Sequence, residues 1–269
     1  MVFLATSSIR KSLVLVLTTS ILCASLIIIL SPSNTNDLSA VIIQTLASAN
    51  AAAFSLLVVH RQKTNGLVGK AFTFLALGFA LYLIAEVVHS YDKITLGIDT
   101  LFLSLPYALW LVGYGTFFFF IFKMYHLLGA SHSRTQQILV ALTAMVFFVC
   151  VIILALQTAD LSTQQGTAGF LIPSAFLGLD IALIVPSALI ILNPVKGPLT
   201  PIPWIFSAVL LLTIGDTLFI YTYSVPTTHN LTWMPNLFFI SSYLVATAGL
   251  FWYNKFFIFN EKVRDEQYP

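Results

Sequence analysis

Three carboxylates lie inside long apolar runs of this chain, and they are the residues best placed to do chemistry. Each of Glu86, Asp180 and Asp216 would cost about 2.5–3.5 kcal/mol at the centre of a membrane helix. We therefore expect all three to face the interior of a helix bundle or a wet cavity. Asp180 is the deepest of them, whereas the other two lie nearer the end of their runs. The pattern predicts either an outward-open polar pocket or a set of interhelical hydrogen bonds near the headgroups.

Polar side chains close to these carboxylates extend the candidate pocket. Glu86 and His89 are three residues apart, and this Glu-x-x-His spacing occurs in carboxylate-bridged metal sites inside helix bundles. A metal ion would need a larger ligand set, to which Asp216 would be the next contributor, so a pocket without metal or other cofactor is favoured. The ligand-pocket candidates are Glu86, His89, Tyr91, Asp180, Asp216 and Tyr221, with His229 on the same side in a loop.

Other patterns in the chain argue against several functions. No nucleophile–base pair or nucleotide-binding loop is visible, so the chain is not expected to be an enzyme. The stretch Leu111–Gly115 is similar to the core of a potassium filter, but the apolar run continues beyond it, and its glycines are expected to allow close helix approach. A net charge of +2 without a basic cluster predicts no nucleic-acid partner.

The elements that must position these residues are membrane helices. Hydrophobic residues make up 58% of the 269 residues and charged residues only 8%, which excludes a soluble domain and a disordered chain. Continuous apolar runs predict helices and not barrel strands, so the fold class is an all-α integral membrane protein in a lipid bilayer. The eight predicted spans are Ser12–Leu30, Leu38–Val59, Lys70–His89, Ser104–Met124, Gln136–Gln157, Gly169–Leu192, Ile202–Tyr221 and Pro235–Phe257.

Charge predicts how these spans are oriented. All of the 12 basic residues except Lys93 fall on one side when the loops are numbered alternately, and basic residues mark the cytoplasmic side. The chain is therefore predicted to be a multi-pass protein of the cell membrane with both termini cytoplasmic. The first run leaves one alternative open, because Arg10 and Lys11 precede it as in a cleaved signal peptide. Its apolar stretch is longer than the ~7–15 residues typical of such a signal.

Self-comparison indicates an internal repeat. Shifting the chain by 130 residues places Ala85–Tyr91 on Gly215–Tyr221, so that Glu86 meets Asp216, and it places Asn50 on Asp180. We therefore predict a single membrane domain over 1–269 that consists of two parallel four-helix repeats, about 10–128 and about 134–259. The alternative is that apolar helices resemble one another without a common origin.

A family resemblance covers most of the chain. The residues that carry it run from Gly69-Lys70-Ala71-Phe72 through Glu86 and Tyr91 to Trp110–Gly115, with Gly215–Phe219 and Tyr243-Leu244 in the second half. They resemble the eight-helix membrane sensor module at the N-terminus of some archaeal histidine kinases and bacterial diguanylate cyclases. The family tends to have an Ala-Asp pair before the tryptophan of the fourth span, where this chain has Leu105–Ala108 without an acid. Because ten residues follow Phe259, which is too few for an output domain, we expect any signal to pass to a separate partner.

These observations favour a stand-alone membrane sensor or regulatory protein that passes its signal to a separate membrane or cytoplasmic protein. The main alternative is an accessory subunit of a larger membrane complex, in which the small-residue run Ala47–Ala53 would be packing surface. A transporter that uses Asp180 as a coupling carboxylate is a further alternative.

Overall fold

The computed structural model describes residues 2–31, 36–62, 66–97, 104–128, 133–158, 164–192, 199–224, 231 and 233–255. Within these ranges the chain is helical and contains no β-strand. Eight of the described helices are long and apolar enough to cross a membrane, which confirms the predicted all-α, multi-pass membrane class. Their bounds are α1 Val2–Leu30, α2 Asn36–Gln62, α3 Gly66–Tyr91, α4 Leu105–Leu128, α5 Arg134–Thr158, α6 Gln164–Leu192, α7 Ile202–Ser224 and α8 Trp233–Tyr253.

Several helices begin before the apolar run that predicted them. Helix α1 begins at Val2, ahead of the predicted start at Ser12, and α6 begins at Gln164, ahead of Gly169. The apolar count measures only the part of a helix that needs hydrocarbon around it, whereas a helix can continue through polar residues once it has been nucleated. At the other end of α3 the chain continues in a π-helical turn, Asp92–Leu96, which stops where Gly97 takes a left-handed φ of 64°.

Six helices form the interior of the bundle. Helix α3 packs along α4, and α7 packs along α8; α2 lies against both α3 and α8, and α6 lies against both α7 and α4. The remaining two helices are peripheral, since α1 contacts α2 and α8 and α5 contacts α6 and α7. Only 11% of the most apolar stretch of α1 and of α5 is buried in the protein, against 56% for α7. The peripheral helices therefore present long apolar faces that suit lipid contact.

Close approach of α3 and α4 depends on two glycines. A Cβ atom on Gly113 of α4 would lie 2.6 Å from the ring of Tyr82 on α3. On the other helix, a Cβ atom on Gly78 would lie 2.4 Å from the ring of Phe117. The expectation that glycines permit close helix packing is confirmed at Gly113, whereas Gly115 has nothing within 4 Å of an added Cβ.

One end of the bundle gathers basic side chains. There Arg61 of α2 donates a hydrogen bond to the amide oxygen of Asn254, at 3.2 Å, which ties the end of α2 to the end of α8. The ammonium groups of Lys123 and Lys255 lie over phenylalanine rings at 5.7 and 5.5 Å from the ring centres. We call this end of the bundle the basic end.

Candidate functional site

The first polar site joins three helices through one tyrosine. The Tyr114 hydroxyl of α4 is 2.8 Å from Oδ1 of Asp180 on α6 and is also hydrogen-bonded to Oδ2 of Asp216 on α7. We call these three residues the double-carboxyl cluster. Two carboxyl groups that are 36 residues apart in the sequence thus meet at the same phenolic oxygen.

Burial within the double-carboxyl cluster is uneven. Asp180 has 0% of its surface exposed, and its Oδ2 atom has no hydrogen-bond partner. Tyr114 is also buried, whereas Asp216 keeps part of its surface exposed. An orphaned carboxyl oxygen in a protein interior is costly, because its desolvation is not compensated by a hydrogen bond. Asp180 therefore keeps one buried acceptor without a described partner, and Asp216 is the member of the cluster that has exposed surface.

A second polar site lies between α2, α3 and α8. Glu86 of α3 accepts hydrogen bonds at both carboxyl oxygens: the Gln44 amide donates to Oε2 at 3.0 Å and the Tyr243 hydroxyl donates to Oε1 at 3.0 Å. We call these three residues the single-carboxyl cluster. The indole of Trp110 on α4 is a third hydrogen-bond partner of this carboxyl group. Beside it the hydroxyls of Thr45 and Ser90 are 2.6 Å apart, which adds a further link between α2 and α3. Glu86 is buried, and both of its oxygens are satisfied.

An aromatic layer lies between the two clusters. The ring of Tyr82 on α3 lies between the two tyrosines, with its centre 6.1 Å from that of Tyr114 and 6.5 Å from that of Tyr243. On the other side of the double-carboxyl cluster the ring of Phe176 packs edge-on against Tyr114 at 5.3 Å. Packed rings leave little room for water around the carboxyl groups, so each hydrogen bond there acts in surroundings of low polarity.

The structure brings some of the pocket candidates together and leaves others apart. Asp180 and Asp216 share one cluster, and Glu86 lies across the Tyr82 ring from them. The ring of His89 packs against Trp110, 5.9 Å between centres, and the Trp110 side chain is in turn a hydrogen-bond partner of Glu86.

Two further candidates lie on the surface. The side chains of Tyr91 and Tyr221 are 56% and 41% exposed, and neither makes a described contact with a cluster. His229 lies outside the described residues. Asn50, which the repeat places opposite Asp180, is exposed and donates to the carbonyl of Leu46 on its own helix. Its surroundings therefore differ from those of Asp180.

Four residues of the site were not among the predicted pocket residues: Gln44, Tyr82, Tyr114 and Tyr243. The rule that selected the carboxylates would also have selected Gln44, because an amide inside an apolar span is costly unless it finds a partner. Tyr114 was visible only as part of Leu111–Gly115. Nothing in the sequence distinguishes the buried Tyr82, Tyr114 and Tyr243 from the exposed tyrosines, because tyrosine occurs both in protein cores and at membrane interfaces.

The arrangement suits hydrogen-bond exchange more than metal chemistry. Within the described part of the chain no three His, Cys, Asp or Glu side chains gather closely enough to hold a metal ion. The hypothesised ligands Glu86, His89 and Asp216 do not converge there. What the described residues do provide is two tyrosine–carboxyl links that cross between helices. Asp180 beside the first link has an unpartnered carboxyl oxygen, whereas both carboxyl oxygens of Glu86 in the second link have a donor.

Comparison with protein-family models, with curated protein sequences and with solved structures finds no match to this chain. The resemblance to the eight-helix sensor module therefore stays a prediction that rests on the short motifs quoted above. The argument for function has to come from the two clusters and the helices that hold them.

Proposed function

We propose that this protein is a multi-pass membrane sensor or regulator whose two four-helix halves change their packing and so signal to a separate membrane or cytoplasmic partner. The observation that carries the proposal is the pair of tyrosine–carboxyl links at the junction of α2, α3 and α8 and at the junction of α4, α6 and α7. Each link joins a helix of 10–128 to a helix of 134–259. A change in either link alters how the two segments hold each other.

Matching helix contacts support the division into halves. In the proposed repeat α1–α4 correspond to α5–α8, so the α3–α4 pair corresponds to α7–α8 and the α2–α8 pair to α6–α4. The single-carboxyl cluster uses the second and third helices of the first half with the fourth of the second half. The double-carboxyl cluster uses the same three positions with the halves exchanged. A pseudo-two-fold axis along the membrane normal accounts for this exchange.

A sensor of this design needs two arrangements of its halves. A ligand shifts the balance between two states only if it binds one of them better than the other. Polar links buried between helices are good carriers of such a difference, because each is either made or broken. The side chains next to them are close-packed, which favours two discrete arrangements over gradual deformation.

Charge supports an orientation for this sensor. The basic end, with Arg61, Lys123 and Lys255, would face the cytoplasm. The single-carboxyl cluster would then lie toward the outer half of the bundle and Asp180 near its middle, and a partner would respond to the positions of the helix ends at the basic end.

The accessory-subunit alternative loses one of its arguments. The small-residue run Ala47–Ala53 was its expected packing surface, yet Ala47, Ser48, Ala51 and Ala52 are buried inside this chain. A specific observation favours the transporter alternative instead. Asp180 is fully buried with one unpartnered oxygen, as a coupling carboxylate would be before it takes up its ion.

Native cysteines allow a direct test of the two-state proposal. The sequence contains two cysteines, and both Cys23 on α1 and Cys150 on α5 are exposed. Spin labels attached to them in lipid nanodiscs report the distance between the peripheral helices of the two proposed halves. We expect two distance populations in the wild-type protein. We expect Asp216→Asn and Glu86→Gln, which preserve side-chain shape, to collapse these populations toward one.

Controls separate the competing functions. Tyr221→Phe, at an exposed position away from both clusters, should leave the distance distribution unchanged. A single distance that Asp216→Asn, Glu86→Gln and Tyr221→Phe all leave unaltered would contradict the sensor proposal and favour a rigid subunit. Such a subunit should co-purify with a fixed set of proteins in mild detergent. Substrate flux in liposomes that is lost in Asp180→Asn would contradict it in favour of a transporter.

A further inference from the structure

The single hydroxyl proton of Tyr114 cannot satisfy both hydrogen bonds of the double-carboxyl cluster. A phenolic hydroxyl donates one hydrogen bond and can accept others, whereas an ionised carboxylate only accepts. Tyr114 is hydrogen-bonded to a carboxyl oxygen of Asp180 and to one of Asp216. If both carboxyl groups were ionised, one of these contacts would set two oxygen lone pairs against each other.

One additional proton resolves this conflict. A proton on either carboxyl group turns that group into a donor to the phenolic oxygen, while the Tyr114 hydroxyl donates to the other carboxylate. Both contacts are then hydrogen bonds, and the net negative charge in the interior falls by one. No such proton is needed in the single-carboxyl cluster, where Gln44 and Tyr243 supply one donor to each oxygen of Glu86.

The groups that face the double-carboxyl cluster supply no positive charge. Helix α3 contributes Tyr82 and Glu86 on this side, and α8 contributes Tyr243, so the titratable neighbours are phenols and a carboxyl. Helix α5 packs against α6 and α7 with apolar side chains such as Val151 and Phe148. Within the described residues, neither aspartate forms an ion pair. The unpartnered Oδ2 of Asp180 therefore lies in a negative, buried corner that attracts a cation of some kind.

We infer that Tyr114, Asp180 and Asp216 form a binding site for one exchangeable proton, and that this proton decides how firmly α4 holds α6 and α7. The inference rests on the proposed function and deepens it, since the proton becomes the cue to which the two halves respond. The proton comes from bulk water and returns to it. Asp216 is the member of the cluster that keeps exposed surface, so it is the point of entry.

Geometry favours a proton over a metal cation. A metal ion is held by a shell of several oxygen ligands that surround it. Here the phenolic oxygen and the carboxyl oxygens contact one another at hydrogen-bond distance, which leaves no gap for an ion between them. Binding of a sodium ion is the alternative outcome, and the test must be able to detect it.

Infrared spectroscopy of the protein in nanodiscs tests the site directly. A protonated carboxyl group has a carbonyl band that an ionised one lacks, and solvent-exposed aspartate and glutamate are ionised at neutral pH. In sodium-free buffer at neutral pH we expect the wild-type protein to show this band and to lose it as the pH rises. Asp180→Asn and Asp216→Asn should each abolish the band, because each leaves a single carboxyl group with neutral donors.

Matched variants control for the other cluster and for misfolding. Glu86→Gln should leave the band in place, because Glu86 has its own donors and is not part of the proton site. Tyr114→Phe keeps both carboxyl groups but removes the oxygen they share, so we expect the band to titrate at a different pH. Helical content and elution as a single species check the fold of every variant, and the wild-type titration needs no variant at all.

Three results would overturn the proton site. They are the absence of a protonated-carboxyl band in the wild-type protein at neutral pH, a band that survives both aspartate substitutions, and a band that sodium removes at constant pH. The spin-label distances decide the proposed function separately. A titrating band with a pH-independent distance would keep the proton site and reject the sensor. A spin-label distance that changes with pH without any titrating band would reject the proton site and keep the sensor.

Discussion

The two polar clusters use the same kinds of helix but differ at one position. In the single-carboxyl cluster α2 contributes an amide, Gln44, and both oxygens of Glu86 receive a hydrogen bond. In the double-carboxyl cluster α6 contributes a second acid, Asp180, and one hydroxyl has to serve two carboxyl groups. In the first cluster both oxygens of Glu86 have a donor, and the unpartnered acceptor is the neutral amide oxygen of Gln44. In the second, the unpartnered acceptor belongs to the acid Asp180, so we expect the hydrogen bonding of this cluster to depend on protonation.

We infer from this difference that the first cluster holds its helices in one arrangement, whereas the second responds to protonation. In each cluster a tyrosine and an acid join two helices, and a residue of a third helix determines whether every carboxyl oxygen receives a hydrogen bond. Three kinds of substitution test the comparison. They disturb the packing between the clusters, exchange the amide and the acid that distinguish them, or remove their tyrosine hydroxyls.

The largest loss in the free energy of unfolding is expected at Tyr82, whose ring lies between the two clusters. Gly113→Ala would place a Cβ atom 2.6 Å from the ring of Tyr82, which lies between the clusters. Overpacking of this kind typically costs about 1–3 kcal/mol, and here it would displace Tyr82 from its position between Tyr114 and Tyr243. The free energy of unfolding in mixed detergent micelles measures the loss. Gly115→Ala is the matched control, since its Cβ would have nothing within 4 Å, and equal losses in the two variants would refute the packing argument.

Replacing Gln44 by an acid and Asp180 by an amide should exchange the pH dependence of the two clusters. Gln44→Glu removes a donor and adds an acceptor beside Glu86, so we expect a loss of about 1–3 kcal/mol at neutral pH that acidification recovers. Asp180→Asn adds donors to the other cluster, and we expect unchanged or slightly greater stability. Unfolding measured over a range of pH checks both. A loss in Asp180→Asn as large as that in Gln44→Glu would show that the two clusters do not differ in the way described.

Removing the tyrosine hydroxyls sharpens the comparison at a smaller scale. Tyr243→Phe takes one donor from Glu86 but leaves Gln44, and hydrogen bonds between membrane helices average about 0.6 kcal/mol with a maximum of about 1.7. Tyr114→Phe takes the donor shared by two carboxyl groups, so we expect a loss nearer the upper value. Double-mutant cycles with Glu86→Gln and Asp216→Asn measure the two coupling energies. Coupling at Tyr243 that exceeds coupling at Tyr114 would reverse the comparison.

The smallest effect is expected at the exposed tyrosines. Tyr91→Phe and Tyr221→Phe change hydroxyls on the surface of the bundle, and such substitutions usually alter stability by no more than about 0.5 kcal/mol. The same unfolding measurement and the spin-label distances apply. A clear change in the distances would extend the site outward to these residues, as the ligand pocket hypothesised from the sequence requires.

Composition and run length were enough to predict the membrane class and the number of long apolar helices. Each run had to be a helix because lipid offers no partners for exposed backbone groups, and this physical demand leaves its trace in the sequence. The helix ends were less predictable. Arg10 and Lys11 lie within α1, and Pro173 and Pro186 lie within α6, because a helix can extend into polar surroundings and can tolerate proline in a membrane.

The cost of charge in lipid also determined that Glu86, Asp180 and Asp216 would find interior partners, and two of the three are indeed buried. What the sequence could not supply is the choice of those partners. These helices are apolar on nearly every face, so no amphipathic stripe reveals which side turns inward.

Only the packing of α4 against α6 and α7, and of α8 against α2 and α3, decides that Tyr114 meets two acids and Tyr243 meets one. That choice depends on the shapes of side chains brought together from distant parts of the chain, such as the glycine at 113 that lets Tyr82 fit between the clusters. Local spacing carries no record of such contacts, because they arise from close packing and not from helical periodicity. The membrane class of this protein was thus determined by its sequence, whereas the partners of its buried acids were determined by its tertiary structure.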